Sequence, residues 1–299
     1  MAGGWTDLVD PTREELLAAL PVQVDSDVLD DLSAPAGRHE PRPLVEGRGA
    51  YVSGILIAML PIAAEHRVVR QEIGFVATPD SLVTVRKRPL DGPPYDPAPL
   101  RPAATDGVPI GILVQRLVDD VSDTYLDLVD ETYVEIDLLE DHVDRLRPAE
   151  TRLRLSELRH ELLHRRRTVT STRAAVRRIL DGRVDVGEHE LFPGDVERAF
   201  GDTYDTLVRV TEELDVARDL LASVRDHLQA KVAENQNEVG KKLTVIASLV
   251  LVPSFIVGFY GQNFAGVFGR EYWTLGVSVG LILASTLVQL ALFRWRRWI

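Results

Sequence analysis

The sequence of 299 residues contains no cysteine. This excludes a disulfide framework, a thiol nucleophile and a zinc site with thiolate ligands. The sequence also has no excess of positive charge, because 46 acidic residues outnumber 34 Lys and Arg and the net charge is −12. Such a balance argues against a nucleic-acid partner and favours a surface that meets cations. The amino-terminal segment has no apolar run of the signal-peptide kind, so we expect no cleavable signal.

Charged side chains are missing from two long stretches of the carboxyl-terminal part. Residues 243–260 and 272–293 carry none. Each stretch is close to the ~20 residues that cross the hydrocarbon core of a bilayer. A buried helix of a globular protein can imitate one such run, but two runs joined by a short loop indicate a transmembrane hairpin.

The charges that flank these spans predict their orientation. The connecting loop carries one base and one acid, Arg270 and Glu271, which cancel. Basic residues precede the first span and follow the second, and these are Lys241, Lys242, Arg294, Arg296 and Arg297. The positive-inside rule therefore places both termini in the cytoplasm and the loop outside. We predict a multi-pass protein of a bacterial or archaeal-type inner membrane.

Residues 1–108 are predicted to form a cytoplasmic α/β domain. Thr12 and Glu15 have the spacing of a capping box and predict a short helix over 12–20. Residues 50–62 and 66–88 are rich in Val, Ile and Phe and predict strands, with a turn at 78–80. The proline-rich segment 89–109 is interpreted as a loop.

Residues 109–194 are predicted to form a helical part with two helices of opposite charge. Residues 117–144 contain eleven Asp or Glu and no Lys or Arg, whereas 150–181 are rich in arginine. The predicted buried side chains are Leu117, Val121, Tyr125, Leu128, Ile136 and Leu139 in the first helix and Leu153, Leu155, Leu158, Leu162 and Ile179 in the second. Opposite charge predicts antiparallel pairing. The acidic residues are either an ordinary solvated face or a surface that attracts cations.

One continuous helix is predicted from residue 195 into the membrane, with 195–242 as a stalk and 243–263 as the first transmembrane helix. An outer loop (264–271), a second transmembrane helix (272–293) and a basic cytoplasmic tail (294–299) follow. Apolar residues recur along the stalk at steps of three and four, at Leu207, Val210, Leu214, Ala217, Leu221, Val224 and Leu228. A seam on so long a helix is typical of an assembly.

His160, Glu161 and His164 match the H-E-x-x-H pattern of zinc proteases. The spacing places both histidines on one helical face. Arginines crowd the segment, however, and cationic charge disfavours bound Zn²⁺. No third ligand is evident downstream. We interpret the match as a coincidence and expect no enzyme activity.

One face of the first transmembrane helix is mostly small or polar. It consists of Asn237, Gly240, Thr244, Ala247, Leu251, Ser254 and Gly258. Small residues in a membrane helix often permit close packing against another helix. The alternative is that this face, repeated around a symmetric ring, lines a narrow pore. The amides of Asn237 and Asn263 at its two ends favour the pore.

The end of this helix resembles a family signature. Residues 258–264 read Gly-Phe-Tyr-Gly-Gln-Asn-Phe, which is similar to the Tyr-Gly-Met-Asn motif of CorA-type metal-ion transporters with Gln262 in place of methionine. The segment 237–247, Pro253 and Phe255 also fit that family's first transmembrane helix. Residues 5–8, Asp10-Pro11 and 75–85 resemble its amino-terminal domain, so the resemblance spans nearly the whole chain.

The resemblance implies a fold and an assembly. The expected fold is an α+β cytoplasmic domain with a long stalk helix and a two-helix transmembrane hairpin, in a CorA-like homopentamer. Tyr260, Gly261, Gln262 and Asn263 would form the selectivity motif, with Asn263 as the outer ring. Leu243 and Leu251 would be apolar constrictions, and Asn237 the inner polar ring. Asp226 would bind a regulatory metal between subunits, with Glu72 or Asp80 as a candidate partner acid.

The resemblance also implies a function, which is the uptake of Mg²⁺, with Co²⁺ or Ni²⁺ as further cargo. Partners would be other copies of the chain, the lipid bilayer and divalent cations, with no nucleic acid. Gln262 departs from the signature, and the outer loop lacks the usual Met-Pro-Glu-Leu stretch. These departures leave a Zn²⁺ transporter as an alternative. A non-conducting, membrane-anchored ion sensor or scaffold is a second one.

Overall fold

The computed structural model describes residues 4–37, 42–62, 67–143, 148–184, 186, 191–261 and 275–298. The chain divides into two compact units, Met1–Arg225 and Asp226–Ile299. Each unit is described by itself below. The long helix α6 (Gly194–Gly261) contributes residues to both.

A five-stranded mixed sheet organises the first unit. Its strands are β1 (Gly4–Val9), β2 (Leu44–Gly47), β3 (Val52–Ile62), β4 (Arg67–Thr78) and β5 (Ser81–Arg86). Their order is β1-β5-β4-β3-β2, with β1 parallel to β5 and all other pairs antiparallel. The predicted strands over 50–62 and 66–88 are confirmed as β3, β4 and β5. The predicted turn is confirmed too, because Thr78 pairs with Ser81 where β4 and β5 meet.

Two short helices, α1 (Arg13–Ala19) and α2 (Ser26–Ser33), follow β1. The capping box of α1 is confirmed: the Thr12 side chain accepts from the Glu15 backbone, and the Glu15 carboxylate accepts from the Thr12 backbone. Apolar side chains of both helices share a core with the sheet, formed by Leu16, Val24, Val28, Leu29, Leu32, Tyr51, Val76 and Val85. Burial of this apolar surface is the main force that holds the helices on the sheet.

Three long helices complete the first unit, namely α4 (Ile110–His142), α5 (Pro148–Leu180) and the first part of α6. Arg154 of α5 pairs with Glu135 of α4, and Thr172 lies 3.1 Å from the Tyr125 hydroxyl. Residue numbers rise along α5 as they fall along α4, so the predicted antiparallel pairing is confirmed. Arg166 of α5 donates to Asp215 of α6 at 2.8 Å, which adds the third helix.

The seam of α6 is buried by the chain itself. Leu207, Val210, Leu214 and Ala217 are at most 1% exposed. The seam therefore does not need other copies of the chain to cover it. We inferred an assembly from this apolar stripe, but the stripe is buried in an intramolecular three-helix bundle. The stripe is therefore not evidence for an assembly.

Several sequence-based predictions need correction. The predicted loop over 89–109 contains α3 (Leu100–Thr105), since Pro102 lies in the first turn, where its missing N–H costs nothing. Leu153 was predicted to be buried but is 63% exposed, whereas Leu155, Leu158, Leu162 and Ile179 are buried. The sequence reasoning also gave no prediction for β1, α2 and β2.

Candidate functional site: the transmembrane hairpin

The second unit contains two helices that are long and apolar enough to cross a membrane, α6 in its last part and α7 (Leu275–Trp295). Each helix contains an apolar stretch of 18 residues, and only 6% of that stretch is buried. Leu251 and Phe255 are each 71% exposed, and Leu287 is 67% exposed. Exposed apolar surface on this scale suits contact with lipid or with other membrane helices rather than with water.

The less exposed residues of the two helices follow one side of each. On α6 they are Val245, Ser248, Leu249, Val252, Pro253, Ile256 and Tyr260, and on α7 they are Ser278, Ile282, Ser285, Thr286, Gln289 and Phe293. Both sets repeat at about three to four residues, which is the spacing of one helical face. Both helices line a cavity of about 540 Å³ that includes Phe259, Tyr260 and Gln289. The two helices therefore face each other across these sides.

The predicted pore-lining residues lie on the uncovered side of α6. Asn237, Gly240, Leu243, Thr244, Ala247, Leu251, Ser254 and Gly258 are all exposed. A Cβ atom added at Gly240 or Gly258 would have no atom within 4 Å. Their small size is thus not required by packing against any described residue.

The hydroxyl groups on this face have partners within the helix. Thr244 donates to the carbonyl of Gly240 at 2.9 Å, and Ser254 donates to the carbonyl of Val250 at 2.7 Å. This back-bonding removes the cost of an unpaired hydroxyl in lipid. It leaves oxygen lone pairs on the uncovered face, and these can accept hydrogen bonds from water bound to a cation.

The predicted selectivity motif is only partly within the described residues. Tyr260 is half-buried at the end of α6, and Gly261 is the last residue of the helix. Gln262 and Asn263 lie outside the described residues, as do the whole predicted outer loop (264–271) and the first residues of the predicted second span, 272–274. The assignment of a selectivity role to these four residues stays a prediction.

Asp226 is an exposed residue of α6. Of its two candidate partner acids, Asp80 is exposed at the turn between β4 and β5, and Glu72 forms an ion pair with Lys87. The Glu72 side chain is only 12% exposed, so burial raises the pKa of its carboxyl, and the Lys87 ammonium offsets part of that rise. This pairing argues against Glu72 as a ligand. Among the described residues, no group of three or more His, Asp or Glu side chains could hold a metal ion.

Several carboxylates of the acidic helix α4 have structural roles, which the sequence reasoning missed. Asp119 accepts a hydrogen bond from Thr203 at 2.6 Å, and Asp120 accepts one from the Tyr95 hydroxyl. Burial, together with the neighbouring Asp119 and Asp120, raises the pKa of Asp123. The first half of the acidic helix is therefore partly used within the fold, and its charge is not all available to cations.

The H-E-x-x-H match on α5 has no zinc-site geometry in the described chain. Glu161 accepts a hydrogen bond from Arg165 at 2.7 Å, and Arg165 is itself 4% exposed. The glutamate that would act as a base in a zinc protease is thus held in an ion pair by a buried guanidinium.

Comparisons with known proteins identify the family. The family model described as "CorA-like Mg2+ transporter protein" matches residues 3–297. The cobalt/magnesium transport protein CorA of Thermotoga maritima is 24% identical over 263 residues, which cover 86% of this chain and 73% of that protein.

Two solved structures are similar in fold. The complete CorA magnesium transporter of Methanocaldococcus jannaschii superposes with a TM-score of 0.79 at 18% identity, over 99% of this chain and 91% of that one. The ZntB cytoplasmic domain of Vibrio parahaemolyticus has a TM-score of 0.56 at 18% identity, over 78% of this chain and 90% of that domain. With its two apolar carboxyl-terminal helices and a family match over nearly its whole length, the chain belongs to the CorA-like Mg²⁺ transporter family.

Proposed function

We propose that this protein is a homopentameric channel for Mg²⁺ uptake, with α6 of each subunit lining the pore. The observation that carries the proposal is the uncovered small and polar face of α6, which ends at the family's signature position. Because a cyclic assembly repeats the same face around its axis, five copies would surround a narrow path. Co²⁺ and Ni²⁺ are further cargo in this proposal.

The mechanism follows from the hydration of the ion. Mg²⁺ loses its water shell reluctantly. Five Asn263 side-chain carbonyls can accept hydrogen bonds from the bound waters without removing them. Selection would then act on a hydrated divalent ion at the outer mouth. Gly261 would shape the turn that presents the amides, with Tyr260 and Gln262 beside them.

The rest of the path would combine polar and apolar rings. Thr244, Ala247, Ser254, Gly240 and Gly258 keep the wall small, and Leu243 and Leu251 would be apolar constrictions. Asn237 would be the inner polar ring. The membrane potential would drive a divalent ion inward, at about 2.3 kcal/mol per charge per 100 mV. Both termini would lie in the cytoplasm of a bacterial or archaeal-type cell.

A Zn²⁺ transporter of the same fold is the second candidate. One observation favours it, which is that Gln262 replaces the methionine of the signature. A ZntB cytoplasmic domain also shares the fold over 78% of this chain. An additional amide beside Asn263 changes the ligands at the mouth and with them the preference between ions.

Ion flux into proteoliposomes tests these candidates. The purified protein is reconstituted into liposomes, and a membrane potential that is negative inside is imposed. Internal Mg²⁺ and Zn²⁺ are then followed with ion-specific dyes. We expect Mg²⁺ entry at a higher rate than Zn²⁺ entry. A preference for Zn²⁺ would select the second candidate, and no flux of any divalent ion would indicate a sensor or scaffold.

A matched pair of variants tests whether the flux runs along the proposed face. Ala247 lies on the uncovered face, and its neighbour Ile246 is 61% exposed but lies outside that face. Ala247→Phe should block flux because five rings would fill the path, whereas Ile246→Phe should leave flux near the unsubstituted level. Equal effects of the two substitutions would exclude this face as the pore wall.

A further inference from the structure

A cleft of positive charge lies in the first unit, apart from the membrane hairpin. It is lined by Arg42 and Pro43 before β2, by Arg70 of β4, and by four residues of α5, namely His164, Arg167, Thr168 and Ser171. No described residue that lines the cleft is acidic. In a chain with a net charge of −12, this is a local reversal of sign.

Some arginines of α5 form ion pairs, and others, including Arg152, Arg159 and Arg173 outside the cleft, form none among the described residues. Arg154, Arg165, Arg166, Arg177 and Arg178 each form an ion pair with a carboxylate. Arg42 and Arg167 form none within the described part of the chain. Guanidinium groups that share a cleft repel each other, and bringing an anion between them removes that cost.

The donor set of the cleft fits a phosphate group. A guanidinium presents a planar fork of N–H donors that matches two phosphate oxygens at once. Ser171 adds a hydroxyl that has no hydrogen-bond partner among the described residues. Thr168 already donates to the His164 carbonyl at 3.2 Å, so its hydroxyl is not counted among the donors to a phosphate.

The size of the cleft limits what it can enclose. Its volume of about 20 Å³ is room for about one water molecule, so the cleft encloses only an edge of a phosphate group and the rest of the group lies outside. Arg70 also lines a second cavity of about 490 Å³, whose wall includes Val68, Val69 and Leu90. The wall also includes the carboxylates of Glu72 and Asp91, so this cavity would receive the uncharged part of an organic phosphate and not its phosphate group.

We propose that the cleft formed by Arg42, Arg70, Arg167 and Ser171 binds a phosphate group, from inorganic phosphate or from a nucleoside monophosphate. This site is separate from the transport path and does not depend on which ion is transported. Its occupancy would be a signal that the cytoplasmic unit receives independently of divalent cations.

Isothermal titration of the full-length protein in detergent tests the proposal, with sodium phosphate, AMP and adenosine as separate titrants. Sodium chloride is adjusted to hold ionic strength constant, and Mg²⁺ is left out. We expect saturable binding of phosphate or AMP and none of adenosine. Tighter binding of AMP than of phosphate would assign the second cavity to the nucleoside, and equal affinity would assign the site to inorganic phosphate.

Two variants of the same helix distinguish a site from general attraction. Arg167→Gln removes a charge from the cleft, and Arg159→Gln removes a charge from an exposed position of α5 outside it. Arg167→Gln should weaken binding by about tenfold or more, because a charge-assisted bond to phosphate is lost, and Arg159→Gln should change it little. Equal weakening by both, or no saturable binding to the unsubstituted protein, would overturn the proposal. Circular dichroism checks that both variants are folded.

Discussion

At the scale of single residues, Asn263 is the position on which the proposed selectivity depends. We expect Asn263→Ala to abolish Mg²⁺ uptake while the protein still assembles, because the five amides that accept hydrogen bonds from the water shell are lost. Uptake into proteoliposomes and size-exclusion chromatography measure the two properties. Asn235→Ala, on α6 outside the lining face, is the control. Uptake by Asn263→Ala at the unsubstituted rate would remove Asn263 from the selectivity role.

The ion pair of Glu72 and Lys87 is a second residue-scale determinant, this time of stability. Both side chains are nearly buried, at 12% and 7% exposure, and Lys87 also donates to the Asp31 carbonyl at 2.7 Å. Lys87→Met leaves a buried carboxylate without its cation. We expect a loss of about 3 kcal/mol in the free energy of unfolding at neutral pH.

The pH dependence of this loss has a definite sign. Burial already raises the pKa of Glu72 above its ordinary value of 4.5, and removing Lys87 raises it further. A buried carboxyl costs little when it is protonated. The loss of unfolding free energy in Lys87→Met should therefore be small below about pH 4.5, and it should grow as the pH rises through the folded-state pKa of Glu72. Thermal melts of variant and unsubstituted protein at several pH values measure it. The control, Arg88→Met, affects a 76% exposed side chain and should cost at most about 1 kcal/mol at any pH.

At the scale of elements, the start of α4 is fixed by a close approach to the segment before α6. A Cβ atom at Gly111 would lie 2.0 Å from the backbone carbonyl oxygen of Leu191. Gly111→Ala should therefore destabilise the first unit by roughly 1–3 kcal/mol, since helix and segment must move apart.

A second glycine provides the opposite expectation. Gly201 lies inside α6, and a Cβ atom there would have no atom within 4 Å. Gly201→Ala should stabilise the protein by up to about 1 kcal/mol through helix propensity alone. Melting temperatures of the two variants should shift in opposite directions. An increase in both melting temperatures would show that helix propensity, not the contact with Leu191, decides both.

At the scale of the whole molecule, the proposed assembly is a ring of five subunits. The number five comes from the family, because the buried seam of α6 gives no information on assembly. We expect a mass of about five times the 33.3 kDa of one chain by light scattering in mild detergent, after subtraction of the bound detergent. A monomer or dimer under these conditions would contradict the proposed pore, since one or two copies of α6 cannot enclose a path.

Gating is the other property of the whole assembly. If Asp226 binds a cation between subunits, internal Mg²⁺ stabilises the closed form, because a ligand stabilises the state that binds it. Asp226→Ala should then conduct at internal Mg²⁺ levels that close the unsubstituted channel, and it should lose protection of its cytoplasmic part from proteolysis by Mg²⁺. Identical Mg²⁺ dependence in both assays would show that Asp226 is not a sensor. Asp219→Ala, an exposed acid that pairs with Arg218 on the same helix, is the matched control.

Features that depend on local pattern were predictable from the amino-acid sequence. The strands β3 to β5, the capped helix α1, the two apolar helices and the unbroken α6 all follow from periodicity, capping residues and runs without charge. The acidic and basic helices paired as expected, because their apolar stripes were continuous and their charges opposite. The family signature at residues 258–264 added the expectation of a metal-ion transporter, and the match over residues 3–297 confirmed the family.

Which surface packs against each apolar face, and which side chain pairs with each charge, became known from the three-dimensional structure. From its spacing, the apolar seam of α6 could pack against another subunit or against helices of its own chain. Its burial by α4 and α5 depends on long-range packing, which local spacing does not encode. From the sequence, Glu72 was a candidate metal ligand. In the fold, the register of β4 against the residues after β5 places its carboxylate beside Lys87, with which it forms an ion pair. Each of these outcomes depends on contacts between residues distant in sequence, and a periodic pattern specifies a face but not the surface that covers it.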